Sequence, residues 1–191
     1  MQKEITEKLG VDCNDAYART EIHHYLRYLI EKQKDLQVRP IIILCIGSDR
    51  YIGDALGPLV GTYLEENTNG IVYGSLDSPV HASNLVEIID TIYYQCHNPI
   101  IIAVDACLGN CHEIGNIEIW EGSLEAGIAV GARLPRVGHI SIIGVVNAIG
   151  RIGYLDLQST PLSIVMKLSK CIGGALGDAI NSIHAYNRFK I

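Results

Sequence analysis

The sequence predicts an α/β fold, a three-layer α/β/α sandwich with a mostly parallel central sheet. Two observations predict it. Segments 41–46 and 99–104 are almost wholly apolar, without the polar alternation of a strand that keeps one face wet, so both are expected to be covered on both sides. Around them, stretches with apolar residues at helical spacing alternate with the strand-like ones, the order that right-handed crossovers produce. A chain of 191 residues, 48% hydrophobic and 19% charged, fills one substantial core and is short for two, so 1–191 is read as a single domain.

Each element follows from its own pattern. The N-terminal segment 1–36 is expected to be helical, because Ile22, Leu26, Leu29 and Ile30 form a stripe and Lys32 and Lys34 suit a helix C-terminus. Pro40 opens the strand 41–46, a glycine-bearing loop follows over 47–57, and a helix starts with Pro58 tolerated in its first turn. Segment 71–76 reads as the next strand. Leu85, Ile88, Ile89 and Ile92 mark a helix entered near His81, with Asp77 or Ser78 as its cap. After the strand 99–104, a short strand is expected at 116–120 and a flexible loop over the Gly- and Ala-rich stretch 123–137. Strands are expected at 140–146 and 152–157, with Gly150 turning between them. Thr160 caps, and Pro161 opens, a C-terminal helix over 160–187 whose stripe is Ile164, Leu168, Ile172, Leu176 and Ile180.

Composition excludes several partners. The net charge of -6 and the scattered Lys and Arg residues disfavour nucleic acid and anionic lipid surfaces. No stretch has the uncharged length to span a bilayer, and residues 1–10 lack the apolar run of a signal peptide, so a cytoplasmic protein is expected. The six cysteines then read as reduced thiols rather than as a disulfide framework. A homo-oligomer stays open: Gly173, Gly174 and Gly177 on the last helix suit close packing within the chain as well as between chains.

In a parallel sheet the strand C-termini share one edge, where ligands of open α/β folds bind. That rule selects the loops beginning at Gly47-Ser48, at Asp77-Ser78-Pro79-Val80-His81 and at Asp105. Neither G-x-G-x-x-G nor a Walker motif is present, and no G-x-S-x-G elbow, so phosphate-cradle and serine-hydrolase readings fail on their own motifs. Asp54 precedes a helix and has an N-cap reading beside a catalytic one. Asp105 is harder to explain structurally, since an acid directly after an apolar strand costs stability unless something satisfies it. Two acids meeting at this edge offer two chemistries: a shared proton with an activated water, or coordination of a divalent metal together with a histidine, for which His139 is the candidate. The cofactor stays unassigned between them. Gly47, Ser48, Asp77, Ser78, His81 and His139 are the candidates for substrate contact. Cys107, Cys111 and His112 have ligand chemistry but not the paired spacing of a structural zinc site.

The stretch Asp54-Ala55-Leu56-Gly57-Pro58, followed later by Val104-Asp105-Ala106, resembles the two-aspartate pattern of spore germination proteases. It is also similar to hydrogenase maturation endopeptidases, whose first metal-binding acid stands three residues before a glycine, as Asp54 does before Gly57. The segments 77–82 and 137–142 most resemble the YyaC family of sporulation proteins. The resemblance implies a hydrogenase-maturation-protease-like fold and a sporulation-associated endopeptidase of the germination-protease type, with Asp54 and Asp105 as the catalytic pair. It further implies a protein or peptide substrate and a sporulating cell, forespore or mother cell. The alternative on the same fold is a non-catalytic protein that binds a peptide or a metal.

Overall fold

Apolar runs and helical stripes assemble around one six-stranded sheet. The structure, a computed structural model, describes residues 8–127, 134–150 and 152–188. In chain order the elements are β1 (Lys8–Asp12), α1 (Ala18–Glu31), β2 (Ile41–Cys45), a 3-10 turn (Gly53–Ala55), α2 (Leu56–Asn67), β3 (Ile71–Tyr73), α3 (Leu85–Gln95) and β4 (Ile100–Gly109). A second 3-10 turn (Cys111–Glu113), β5 (Asn116–Glu121), β6 (Leu124–Glu125), β7 (Arg136–Val137), β8 (Ile140–Ala148), α4 (Gly153–Gln158) and α5 (Leu162–Arg188) complete it.

The sheet order is β1-β5-β8-β4-β2-β3. The four strands β3, β2, β4 and β8 are parallel, and β5 is antiparallel to both β8 and β1. Because side chains alternate along a strand, β2 and β4 feed two cores. Ile43, Cys45, Ile102 and Val104 pack with α1, α2 and α5, whereas Ile42, Leu44, Ile101 and Ala103 pack with Leu85 and Ile92 of α3 and with Leu124 and Val137 of the β6–β7 pair. These are the three layers expected. Gly173 lets α5 lie close on α2, since a Cβ there would stand 2.8 Å from the Tyr63 ring. Among the described residues no helix is long and apolar enough to cross a membrane.

Five expectations about these elements need correction. The segment 1–36 is not simply helical: β1 precedes α1 and pairs with β5, Leu9 opposite Ile119. The strand expected over 152–157 is the helix α4, which turns the buried Leu157 into the core shared by α1, α2 and α5. The loop 123–137 contains the antiparallel pair β6–β7, and its residues 128–133 lie outside the described ones. Thr160 turns its hydroxyl back to donate to the Asp156 carbonyl at 2.9 Å. The strand expected over 71–76 also stops early, because Gly74 takes φ +94° and comes so close to the Cys45 carbonyl that only a residue without Cβ fits.

Candidate active site

Asp54 is placed by the way the chain leaves β2. Ile46 still belongs to the sheet edge, donating its N–H to Val104 O at 2.7 Å. Gly47 then turns with φ +144° and donates to Val80 O at 2.8 Å, and a Cβ on it would lie 2.0 Å from the Asp54 carbonyl oxygen. The next N–H, that of Ser48, donates to that same carbonyl at 3.1 Å. The loop therefore folds back and clamps Asp54 in the 3-10 turn ahead of α2. Gly57 completes the clamp, because its missing Cβ lets α2 rest on the Ile46 carbonyl. Asp54 is not the cap of α2: the N-cap position is Ala55, with no side-chain cap bond. Burial instead pushes the Asp54 carboxyl up to about 6, against the pull of the Ser48 N–H and of His81.

Asp105 lies inside a strand, not in the loop expected after residue 104. β2 stops at Cys45, opposite Val104, and β4 runs on beside β8 alone, with Asp105 opposite Ile143 and a register shift after Cys107. Asp105 shares the side-chain parity of Ile101 and Ala103, so it faces the α3 side of the sheet. It is 7% exposed and accepts the Ala106 N–H at 2.8 Å. Its carboxyl is held well above the ordinary range, first by burial and second by the charge of Asp54, while the N–H groups of Ala106 and Gly127 pull weakly the other way. The asymmetry between the two acids has a simple origin. Asp54 ionises beside an Asp105 that is still protonated, whereas Asp105 has to ionise beside an anion.

Both acids line one cavity of about 710 Å³. β4, β5 and β8 contribute Cys107, Leu108, Trp120 and Ile143, and the β6–β7 pair contributes Leu124, Glu125 and Arg136. Ile149, Gly150 and Tyr154 close the side where β8 leads into α4. Sequence reasoning missed these walls. The available signal was strand parity: Asp105, Cys107 and, across the register, Ile143 share one face of the sheet.

The other candidates are not in the cavity wall. Gly47 and Ser48 hold Asp54 rather than the cavity. Asp77 and Ser78 are exposed, and neither caps α3. His81 is half-buried, donates its N–H to Asn84 Oδ1 at 2.8 Å, and is near enough for its charge to act on Asp54. His139 stands at the opposite edge of the sheet. It precedes β8, where Nδ1 accepts the Ile101 N–H at 3.0 Å at the start of β4 and Nε2 lies 3.4 Å from the Arg39 guanidinium. Burial and Arg39 push this imidazole down, which favours its neutral form. The parallel sheet thus separates His139 from both acids by the length of a strand.

Cys107 lines the cavity, but burial and the charges of Glu118 and Asp105 push its thiol up to about 12, which removes the thiolate that nucleophilic catalysis needs. Cys111 is exposed on the following 3-10 turn, whose Asn110 and Glu113 cap each other. Two carboxylates alone make a poor resident metal site. Among the described residues no three His, Cys, Asp or Glu side chains gather to hold an ion, so the donor set does not fit the metal that the resemblance implied.

The comparisons with known proteins agree with this architecture. A family model described as "Protein of unknown function (DUF1256)" matches residues 11–175. An uncharacterized protein, YyaC of Bacillus subtilis (strain 168), is 40% identical over 171 residues, 88% of this chain and 82% of that protein. The crystal structure of a NiFe hydrogenase maturation protease, HycI of Thermococcus kodakarensis, matches with a TM-score of 0.51 at 17% identity, over 82% of this chain and 99% of that one. At that identity the likeness is one of fold. The resemblance to YyaC, read from segments 77–82 and 137–142, is borne out, and that to hydrogenase maturation proteases, read from residues 54–58 and 104–106, is borne out as one of fold.

Proposed function

The chain belongs to the DUF1256 family, and from that premise we propose that it is an endopeptidase in which Asp54 and Asp105 hydrolyse a peptide bond without a bound nucleophile. The observation that carries this reading is a pair of carboxyls on one cavity whose surroundings drive their protonation apart. Above about pH 6 Asp54 is the anion and Asp105 the acid. Asp54 takes a proton from a water as its oxygen bonds to the scissile carbonyl carbon, and Asp105 gives its proton to the carbonyl oxygen. When the C–N bond breaks, Asp54 returns its proton to the leaving nitrogen and Asp105 recovers one from the diol. The hydrolysis balances and both groups are reset. Gly47 and Ser48 serve by fixing Asp54, and His81 by favouring its charged form.

The test is cleavage of peptides by the full chain, read as new termini by mass spectrometry. Asp54→Asn and Asp105→Asn should each lower kcat by at least about a hundredfold, and kcat/KM should fall on the acid side through about pH 6 as Asp54 protonates. Turnover that survives either replacement rules the mechanism out. Stoichiometric peptide binding without turnover would instead support the non-catalytic alternative. The resemblance to YyaC-type proteins extends the proposal to a cytoplasmic, sporulation-associated substrate, in forespore or mother cell; steady abundance of the protein in cells that are not sporulating would count against it.

A further inference from the structure

The wall of the cavity above the acids is built from large apolar side chains: Leu108, Trp120, Leu124, Ile143, Ile149 and Tyr154. The two charged groups at its margin are already engaged, since Arg136 donates to Ser123 O at 2.8 Å and to Ser123 Oγ at 3.1 Å and lies 3.9 Å from Glu125. Apart from the two acids and this pair, the described lining carries no charged side chain. A second observation points the same way. Ile149 is 69% exposed and Tyr154 47%, and Ile152 and Leu155 beside them are exposed as well, so an apolar lip continues from the cavity onto the surface. Exposed apolar side chains massed at the mouth of a cleft mark a surface that something covers. The volume suits a large side chain with its flanking main chain.

We infer that this cavity is a side-chain subsite that selects a bulky apolar residue, such as Leu, Ile, Met or Phe, next to the scissile bond of a protein substrate. The inference rests on the hydrolytic reading for the position of that bond, and on the apolar wall for the choice of residue. A small side chain leaves the wall uncovered. An acidic one has to enter a low-polarity space beside Asp54, where like charge and lost hydration both oppose it.

Two measurements on a fully randomised short-peptide library test it. Asp54→Asn protein is used to capture binders, and the unaltered protein is used to cut the same library. One position should be enriched at least about tenfold for Leu, Ile, Met or Phe over Ser and Asp. The double variant Ile149→Asp, Tyr154→Ser, altered only at exposed positions, should erase that enrichment while remaining folded. Trp120 is the only tryptophan and lines the cavity, so a captured peptide should shift its emission and the same peptide with Ala at the selected position should not. Binding or cleavage with no positional preference overturns the inference, as does a preference unchanged in the double variant. Selective capture without any cutting leaves the subsite standing and removes the hydrolytic reading.

Discussion

Replacing Asp54 by Asn should make the protein more stable and inactive. The carboxyl rises from its ordinary 3.8 to about 6 because burial disfavours the anion. At about 1.4 kcal/mol per pH unit, keeping Asp54 ionised in the folded state costs about 3 kcal/mol. The sign follows from proton counts. Between these two values the native state holds more of the proton than the unfolded state does, so the cost from Asp54 is absent below about pH 4 and is fully present once pH has risen through about 6. Asn keeps the size of the side chain and an oxygen for the Ser48 N–H, but has no charge to bury. Asp105, being protonated beside the Asp54 anion, adds little to this difference. Urea unfolding of both proteins across this pH range should show nearly equal stability at the acid end and an advantage of about 3 kcal/mol for Asp54→Asn at neutral pH. A variant less stable at every pH, or one whose advantage does not grow with pH, would refute the claim that the site holds Asp54 against a desolvation cost.

Gly47→Ala should cost more than about 2 kcal/mol and reduce activity, because its Cβ would collide with the Asp54 carbonyl at 2.0 Å in a left-handed conformation. Gly10→Ala, with nothing within 4 Å of the added carbon, should be neutral or stabilising by about 0.5 kcal/mol in the same unfolding series. His139→Ala should lose about 1–3 kcal/mol by stranding the Ile101 N–H, with cleavage kinetics unchanged; a collapse of kcat in a folded variant would return His139 to the active site. Cys107→Ala should remain a working peptidase with the same pH profile, and loss of turnover there would revive a thiol mechanism.

The part of the site that was legible in the sequence is the part that depends on strand order. Two apolar strands, each followed by an acid, were expected side by side in one parallel sheet, and β2 pairs β4 directly. Less legible was anything set by partners distant along the chain. β1 offers only Leu9 and Val11 as apolar residues, with Val11 alone fully buried, and its reason for being a strand is β5, more than a hundred residues later. The run from Ile152 to Leu157 fits a strand or a short helix by pattern, and the helix is held by partners outside it: Leu157 in the core, and Asn147, Gly150 and Thr160 donating to Asp156. His139 is a different case, because the rule was at hand: the residue before a parallel strand lies on the edge opposite the strand ends, so His139 could not join acids placed at those ends.

The misreading of Asp105 as a loop residue shows how the fold makes the site. A buried acid inside a strand is costly, so pattern alone assigns it to a loop near water. β4 nevertheless continues four residues past Asp105, supported by β8 after β2 has ended. One face of the sheet is covered by α1, α2 and α5; on the other, α3 and the β6–β7 pair supply the cover. Asp105 faces that second side, and there the cavity opens between the strands, the β6–β7 pair and the turn into α4. The sparser layer leaves room for a substrate, and the enclosure that remains keeps Asp105 protonated. Among the described residues the cover on this face is thinner than on the other, so the open apolar wall and the buried acid lie together, at the place where a substrate would relieve both.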